Sequence, residues 1–508
     1  MRARAWIHTF RPGTDRGNMD NQILGHSRSP RSVTLLTVAC LLSALAIAAL
    51  IATYGTNQNL DSATMPVAGR TLNQFMAVVL TCIALIVPLT ANLYSPKLVT
   101  LYVTHPLIVA MLSLLCLSHI ICLTLNFTPT HHVLNKVLID CLALIYLIVI
   151  AGALPFLYGI SQFLRPSYFM PVLTRKGIHS LHSLARGRQV QVKGRDLWET
   201  IDVVTNIALT GMTRGDRQLV LLSLHSLHTF LAEIIGSGWT EASSWRNSRP
   251  FFVPGLAHEG QDYLTRERVW PEAYVLAQML KIMEGATKRQ HEILAELASQ
   301  LVETAQLASV LQRDKVTELL IMTFNTLMRD VIEEKDLRRF QNLSYYYRLL
   351  IETFHEQPER MHEAAQHLIH YAKMAAKLGV YFAMETVIYD MGETVLSLAT
   401  HDQERAVELV QAWAGPLWQD SIDSGTHMKK IAWRTLIRVY WEAKVLGLDA
   451  LTESLYWRYL SDETIHREQV EMVLDENREL HYEFNDRLMR FAHLSEGAEL
   501  MAREFSEG

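Results

Sequence analysis

Acidic residues are nearly missing from the first part of the sequence. Up to Arg195 there are only 4 of the chain's 52 Asp and Glu, against 16 of its 47 Lys and Arg. The remainder holds 48 acids and 31 bases, so a part of net charge +12 precedes one of −17. An acidic body of this kind excludes nucleic acid as the main partner, because phosphate binding needs clustered Lys and Arg. Cysteine is scarce as well: five residues, Cys40, Cys82, Cys116, Cys122 and Cys141, all inside apolar runs. There they act as small hydrophobes, and without a C-x-x-C pair they suggest neither a zinc site nor a disulfide framework. Proline almost disappears after Glu272, where only Pro358 and Pro416 remain. Phosphate loops, dinucleotide glycine patterns, nucleophile elbows and metalloprotease signatures are missing. The expectation is therefore a chain that is not an enzyme and holds no cofactor.

What is present begins with long apolar runs. A helix needs about 20 apolar residues to cross the hydrocarbon core of a bilayer. Four such stretches follow one another over 33–163, at Val33–Tyr54, Phe75–Tyr94, Leu98–Leu125 and Val137–Phe163. The first exceeds the 7–15-residue apolar core of a cleaved signal, so it reads as a span. Basic residues lie before span one (Arg2, Arg4, Arg11, Arg16, Arg28, Arg31) and after span four (Arg165, Arg175, Lys176, Arg186, Arg188, Lys193, Arg195). The opposite breaks carry Arg70 and Lys136 alone, which by the positive-inside rule puts both termini in the cytoplasm. Residues 1–32 have no apolar periodicity and read as a disordered basic arm, with Met19 an alternative start to Met1.

Two titratable residues fall at membrane depth. His119 lies near the outer end of span three and Asp140 near the outer start of span four, within roughly one turn of the same depth at about 1.5 Å rise per residue. Such groups are functional candidates because hydrocarbon penalises them. They suggest a proton or cation site; the plainer reading, which is favoured, is an interfacial Asp140 and a neutral His119 hydrogen-bonded to a neighbouring helix.

A basic connector, 164–195, follows, in which Pro166 and Pro171 are expected to interrupt any continuing helix. Residues 196–265 read as a helical hairpin broken at Thr210–Gly215, then a long loop with Trp239, Trp245, Phe251 and Phe252. Those aromatics could anchor a partner or the membrane interface; packing of the loop on its own domain is favoured.

The four spans, Tyr94-Ser95-Pro96-Lys97, and the hairpin from Gly194-Arg195-Asp196 to Phe230 resemble a family of predicted bacterial integral membrane proteins of unknown function. Asp196, Ile201, Asp202, Ile207 and Ala208 match the family's first soluble helix, and Asp216 its turn acid. Gly211-Met212-Thr213-Arg214-Gly215 departs from the family's turn. The resemblance implies a multi-pass protein of a bacterial inner membrane and brings no activity with it.

From 266 to 508 the apolar spacing of three and four predicts stacked helices. Ala376-Lys377-Leu378-Gly379 with Ala383 is echoed by Ala443-Lys444-Val445-Leu446-Gly447 with Ala450, with Gly415 between. The glycines stand 68 residues apart, two periods of about 34, so the segment resembles tetratricopeptide-like helical repeats in an irregular α-solenoid. Glu363, His367 and His370 share a helical face and are the candidate metal ligands, although a bundle site needs more from a facing helix. His225 and His228 are a weaker pair, and 330–339 reads as a solvated helix end.

The expected fold is all-α: a four-helix transmembrane domain followed by a cytoplasmic α-helical, solenoid-like domain. The expected function is a membrane-anchored scaffold that binds a cytoplasmic protein partner. The alternative is a homo-oligomeric ion channel or transporter with a regulatory helical domain.

Overall fold

The computed structural model describes residues 64–94, 106–127, 165–186, 190–236, 255–285, 291–419, 425–461, 463–478 and 494–507, with single positions at 99, 253 and between 144 and 162. The described residues are all-helical, without a strand. They form two compact units, Met1–Arg175 and Lys176–Gly508.

In the first unit, α1 (Thr64–Leu93) contains the predicted second span and α2 (Pro106–Phe127) most of the third. The first span lies outside the described residues, as does most of the fourth. Proline is tolerated at the first helical position because its missing N–H would be unpaired there anyway, and α2 begins at Pro106. Val79, Ile108, Met111, Leu115, Ile145, Val149 and Phe156 form the unit's buried cluster. Hydroxyls in this apolar setting are satisfied within their own helix: Thr81 donates to the Ala77 carbonyl at 2.7 Å and Ser118 to Leu115 at 2.7 Å.

The connector is helical, not interrupted. Helix α3 runs Pro166–Ala185 with Pro171 inside it, and α4 (Val190–Arg214) starts before Asp196. Pro166 occupies the first helical position, and Pro171 forgoes only one bond of the opening turns, so neither proline breaks the helix.

Helices α4 and α5 (Arg217–Gly236) make the predicted hairpin. Then follow α6 (His258–Arg266), α7 (Trp270–Glu284), α8 (His291–Val310), α9 (Asp314–Glu333), α10 (Leu337–Glu352), α11 (Pro358–Lys377), α12 (Tyr381–Ala399), α13 (Gln403–Gln419), α14 (Gly425–Val445), α15 (Asp449–Leu455) with a π turn at Tyr456–Leu460, α16 (Glu463–Arg478) and α17 (Glu496–Glu507). Packing sorts them into two layers. Helices α5, α8, α10, α12 and α14 lie side by side in one, and α4, α7, α9, α11, α13 and α15 in the other.

The step between equivalent helices is 44 to 46 residues: α7, α9, α11, α13 and α15 start at 270, 314, 358, 403 and 449. This corrects the 34-residue period. Gly379 joins α11 to α12 and Gly447 joins α14 to α15, so they occupy opposite kinds of turn, and their 68-residue separation is one and a half steps. Gly415 is inside α13 rather than at a turn.

Six of the turns share one construction. Gly215, Arg268, Gln312, Lys335, Gly379 and Gly447 have φ between 53° and 76°, in the left-handed region. In each, the next N–H bonds five residues back and the residue's own N–H three back, as in Val380 to Ala375 at 2.9 Å and Gly379 to Ala376 at 3.0 Å. These are Schellman caps, which satisfy orphan carbonyls and turn the chain within two or three residues. Where Asp follows, it caps the next helix: Asp216 accepts from the Leu219 N–H at 3.1 Å and Asp336 from Arg339 at 3.2 Å. The 330–339 run is thus not wholly solvated, because Arg339 is buried between Asp336 at 3.4 Å and Glu334 at 3.2 Å.

Successive helices of the second layer are joined at their first turns. Glu272 meets Arg313 at 3.5 Å, Asp314 meets Arg360 at 2.9 Å, and Glu359 meets Arg405 at 2.7 Å. Gln403 continues the series by accepting the Ala450 N–H at 3.0 Å. Glu272 is fully buried, whereas the other two pairs are partly exposed, and exposed ion pairs contribute at most about 1 kcal/mol each. Their consequence is register, since each acid at a helix start selects one partner a repeat away.

Candidate functional site

His119, on α2, lies between two acceptors. Its Nδ1 is 3.1 Å from the Leu115 carbonyl and its Nε2 meets the Asn73 side chain on α1. The histidine therefore ties α1 to α2. Asp140, Trp239, Trp245, Phe251 and Phe252 lie outside the described residues. Glu363, His367 and His370 sit on the exposed face of α11, and among the described residues no group of three His, Cys, Asp or Glu is placed to hold a metal ion.

His225 and His228, one turn apart on α5, look across to Glu296 and Glu303 on α8. His228 Nε2 is 3.9 Å from Glu303 Oε2. At that distance from a mostly exposed carboxylate the attraction is weak, and burial, helped by His225, pushes His228 down to about 4. Burial also lowers His225, against the pull of Glu296. Burial and the neighbouring Glu296 raise Glu303.

The densest set of buried charges was not among the residues that the sequence singled out. Helix α10 contributes Ser344, Arg348 and Glu352, α12 contributes Asp390 and Glu393, and α14 contributes Arg438. The four-residue spacing on α10 puts its three members on one face. Asp390, 1% exposed, accepts from Ser344 Oγ at 2.5 Å and lies 3.6 Å from Arg348 Nε. Arg348 also donates to Glu352 at 2.5 Å, and Arg438, 6% exposed, pairs with Glu393. Burial pulls the Arg348 guanidinium down, but Glu352 and Asp390 outweigh it and hold the group above its ordinary value. For Arg438, burial wins and the value falls, with Arg348 adding repulsion against the pull of Glu442 and Asp390. The cluster fastens three consecutive helices of one layer. Its sequence signal is the 45-residue step from Arg348 to Glu393 to Arg438, which a 34-residue register conceals.

A second unforeseen group closes the far end. His466 is 1% exposed, with ring centroids 4.8 Å from Phe505 and 5.6 Å from Tyr440. Burial pushes it down to about 4, aided by the nearby charge of Lys444. Lys444 stands over Trp441 at 5.0 Å, a cation–π contact. Both groups fasten neighbouring helices to one another. Comparisons with protein-family models, with curated proteins and with solved structures found no match for this chain.

Proposed function

We propose that the chain is a membrane-anchored helical scaffold. Four spans over 33–163 fix it in a bacterial inner membrane with both termini cytoplasmic, and the repeat-like unit binds a cytoplasmic protein partner. The observation that carries this reading is the outward face of α1 and α2. Leu85 is 67% and Ile120 60% exposed, and Val78, Leu80, Leu89, Val109 and Leu117 join them. Soluble monomers rarely expose a large contiguous apolar face, and such a face suits lipid.

Helix α5 makes the contrast. It is the one described helix long and apolar enough to cross a membrane by length and composition, yet its apolar side chains are buried against neighbouring helices. It serves as a core helix. His119, held between Asn73 and the Leu115 carbonyl, supports the scaffold by tying α1 to α2.

The test uses full-length chain in native vesicles. The chain should resist carbonate extraction, and its five cysteines, all in apolar runs, should escape a membrane-impermeant maleimide until the vesicles are dissolved. Crosslinking through lysines of the acidic unit should give a heteromeric adduct. Release by carbonate refutes the anchor, and exclusively homotypic adducts refute the scaffold.

A further inference from the structure

We propose that α3 is a recognition surface for anionic phospholipid headgroups. This rests on the anchored reading and adds a lipid chemistry to it. Helical spacing puts Arg165, Tyr168, Arg175, Lys176, His179 and Arg186 along one side of α3 and its flanks, and all six are exposed. The opposite side holds Leu173, Gly177, Leu181 and Leu184, all buried.

Gly177 fixes that rotation. A Cβ at this position would stand 2.5 Å from the Phe230 ring and 3.4 Å from the Thr200 methyl, so the helix backbone lies directly on α5 and α4. Glu233 adds a lateral tie by meeting His182 at 2.7 Å. The exposed cations lie on the side of α3 away from Gly177.

Their charges are also uncommitted. Residues 166–185 contain no Asp or Glu, and among the described residues no carboxylate lies within 4 Å of the charged nitrogens of Arg165, Arg175, Lys176 or Arg186. Elsewhere in the chain Arg313, Arg360 and Arg405 each reach a carboxylate. A basic stripe that has no carboxylate partner among the described residues and follows an apolar run directly in sequence is complementary to anionic headgroups, with Tyr168 suited to the interface at its start.

The experiment titrates full-length protein in neutral detergent with phosphatidylglycerol and, separately, phosphatidylcholine, each carrying a fluorescent acyl chain. Phosphatidylglycerol should bind more tightly. R175Q/K176Q should weaken it about thirtyfold, at roughly fivefold per cation near a lipid surface, and leave phosphatidylcholine unchanged. The charge-preserving R175K/K176R, with an unchanged circular dichroism spectrum, should bind as wild type does. Equal affinity for both lipids, an undiminished R175Q/K176Q, or displacement of the lipid by millimolar inorganic phosphate overturns the proposal. Carbonate extraction of the same variants keeps the two readings apart: release of the wild type refutes the anchor, whereas a retained chain without lipid preference refutes recognition by α3 alone.

Discussion

Removing one carboxylate tests the buried charge cluster most directly. Asp390 is 1% exposed, accepts from Ser344 and lies near Arg348, so Asp390→Ala strips a hydroxyl of its acceptor and removes one of the two carboxylates, Asp390 and Glu352, that balance the Arg348 guanidinium inside the layer. An unsatisfied buried donor costs about 1–3 kcal/mol, and breaking a buried ion pair from one side about 3–5 kcal/mol. The two overlap, since both describe the same desolvated groups, and the larger range is the expected cost. In a unit of this size about 2 °C accompanies each kcal/mol, so the midpoint should fall by roughly 6–10 °C. Thermal melting of full-length protein in detergent, followed by circular dichroism, reads this shift. Replacing the set together (Ser344→Ala, Arg348→Met, Glu352→Gln, Asp390→Leu, Glu393→Gln, Arg438→Met) should recover most of the loss, because well-packed groups without charge can substitute for a buried ionic network. A shift under 1 °C for Asp390→Ala, or a combined variant less stable than the single one, would falsify the account.

Gly177→Val should cost about 1–3 kcal/mol by overpacking against the fully buried Phe230 ring, measured as a lower melting midpoint. Gly177→Ala should cost less, because alanine regains up to about 1 kcal/mol of helix propensity. At the left-handed turns the sign should follow the residue: Gly379→Ala destabilises by about 1 kcal/mol, while Gln312→Gly and Lys335→Gly stabilise by a fraction of that. Stability should fall as the pH drops from 6.5 towards 4. His228 and His466 are both pushed down to about 4 in the fold, so the unfolded chain takes up their protons first. Each contributes on the order of 3 kcal/mol over that window, and His466→Phe should flatten the pH dependence of the midpoint.

Helix content was legible because apolar spacing of three and four is local, and the α4–α5 hairpin was legible because Gly215 and Asp216 supply a left-handed turn and a cap in sequence. The connector is not legible in the sequence, because Pro166 and Pro171 carry the mark of helix breaks. Proline near a helix start costs little, and what holds α3 is Gly177 against Phe230, a contact 53 residues away that no window along the chain contains. Three of the Schellman turns were hidden for a different reason. Arg268, Gln312 and Lys335 adopt a conformation that sequence assigns to glycine, so only Gly379 and Gly447 were visible as a repeat.

That partial visibility explains the wrong period. With two marked turns out of the series, 68 residues divides most simply into two steps of 34, but a two-layer stack has turns on both edges, and alternate edges are half a step apart. The side chains carry the correct step more faithfully than the glycines do. Asp314 reaches Arg360 and Glu359 reaches Arg405 across 46 residues, Ser344 reaches Asp390 across 46, and Arg348, Glu393 and Arg438 recur at 45. Polar partners keep this register because a slip by one residue would move Asp390 from the face opposite Ser344 and leave its charge buried without a donor. The layer's ionic cluster and the first-turn ion pairs are therefore two readings of the same constraint, one inside the stack and one along its edge. A substitution that disturbs either should be felt in the neighbouring hairpin before it is felt in its own.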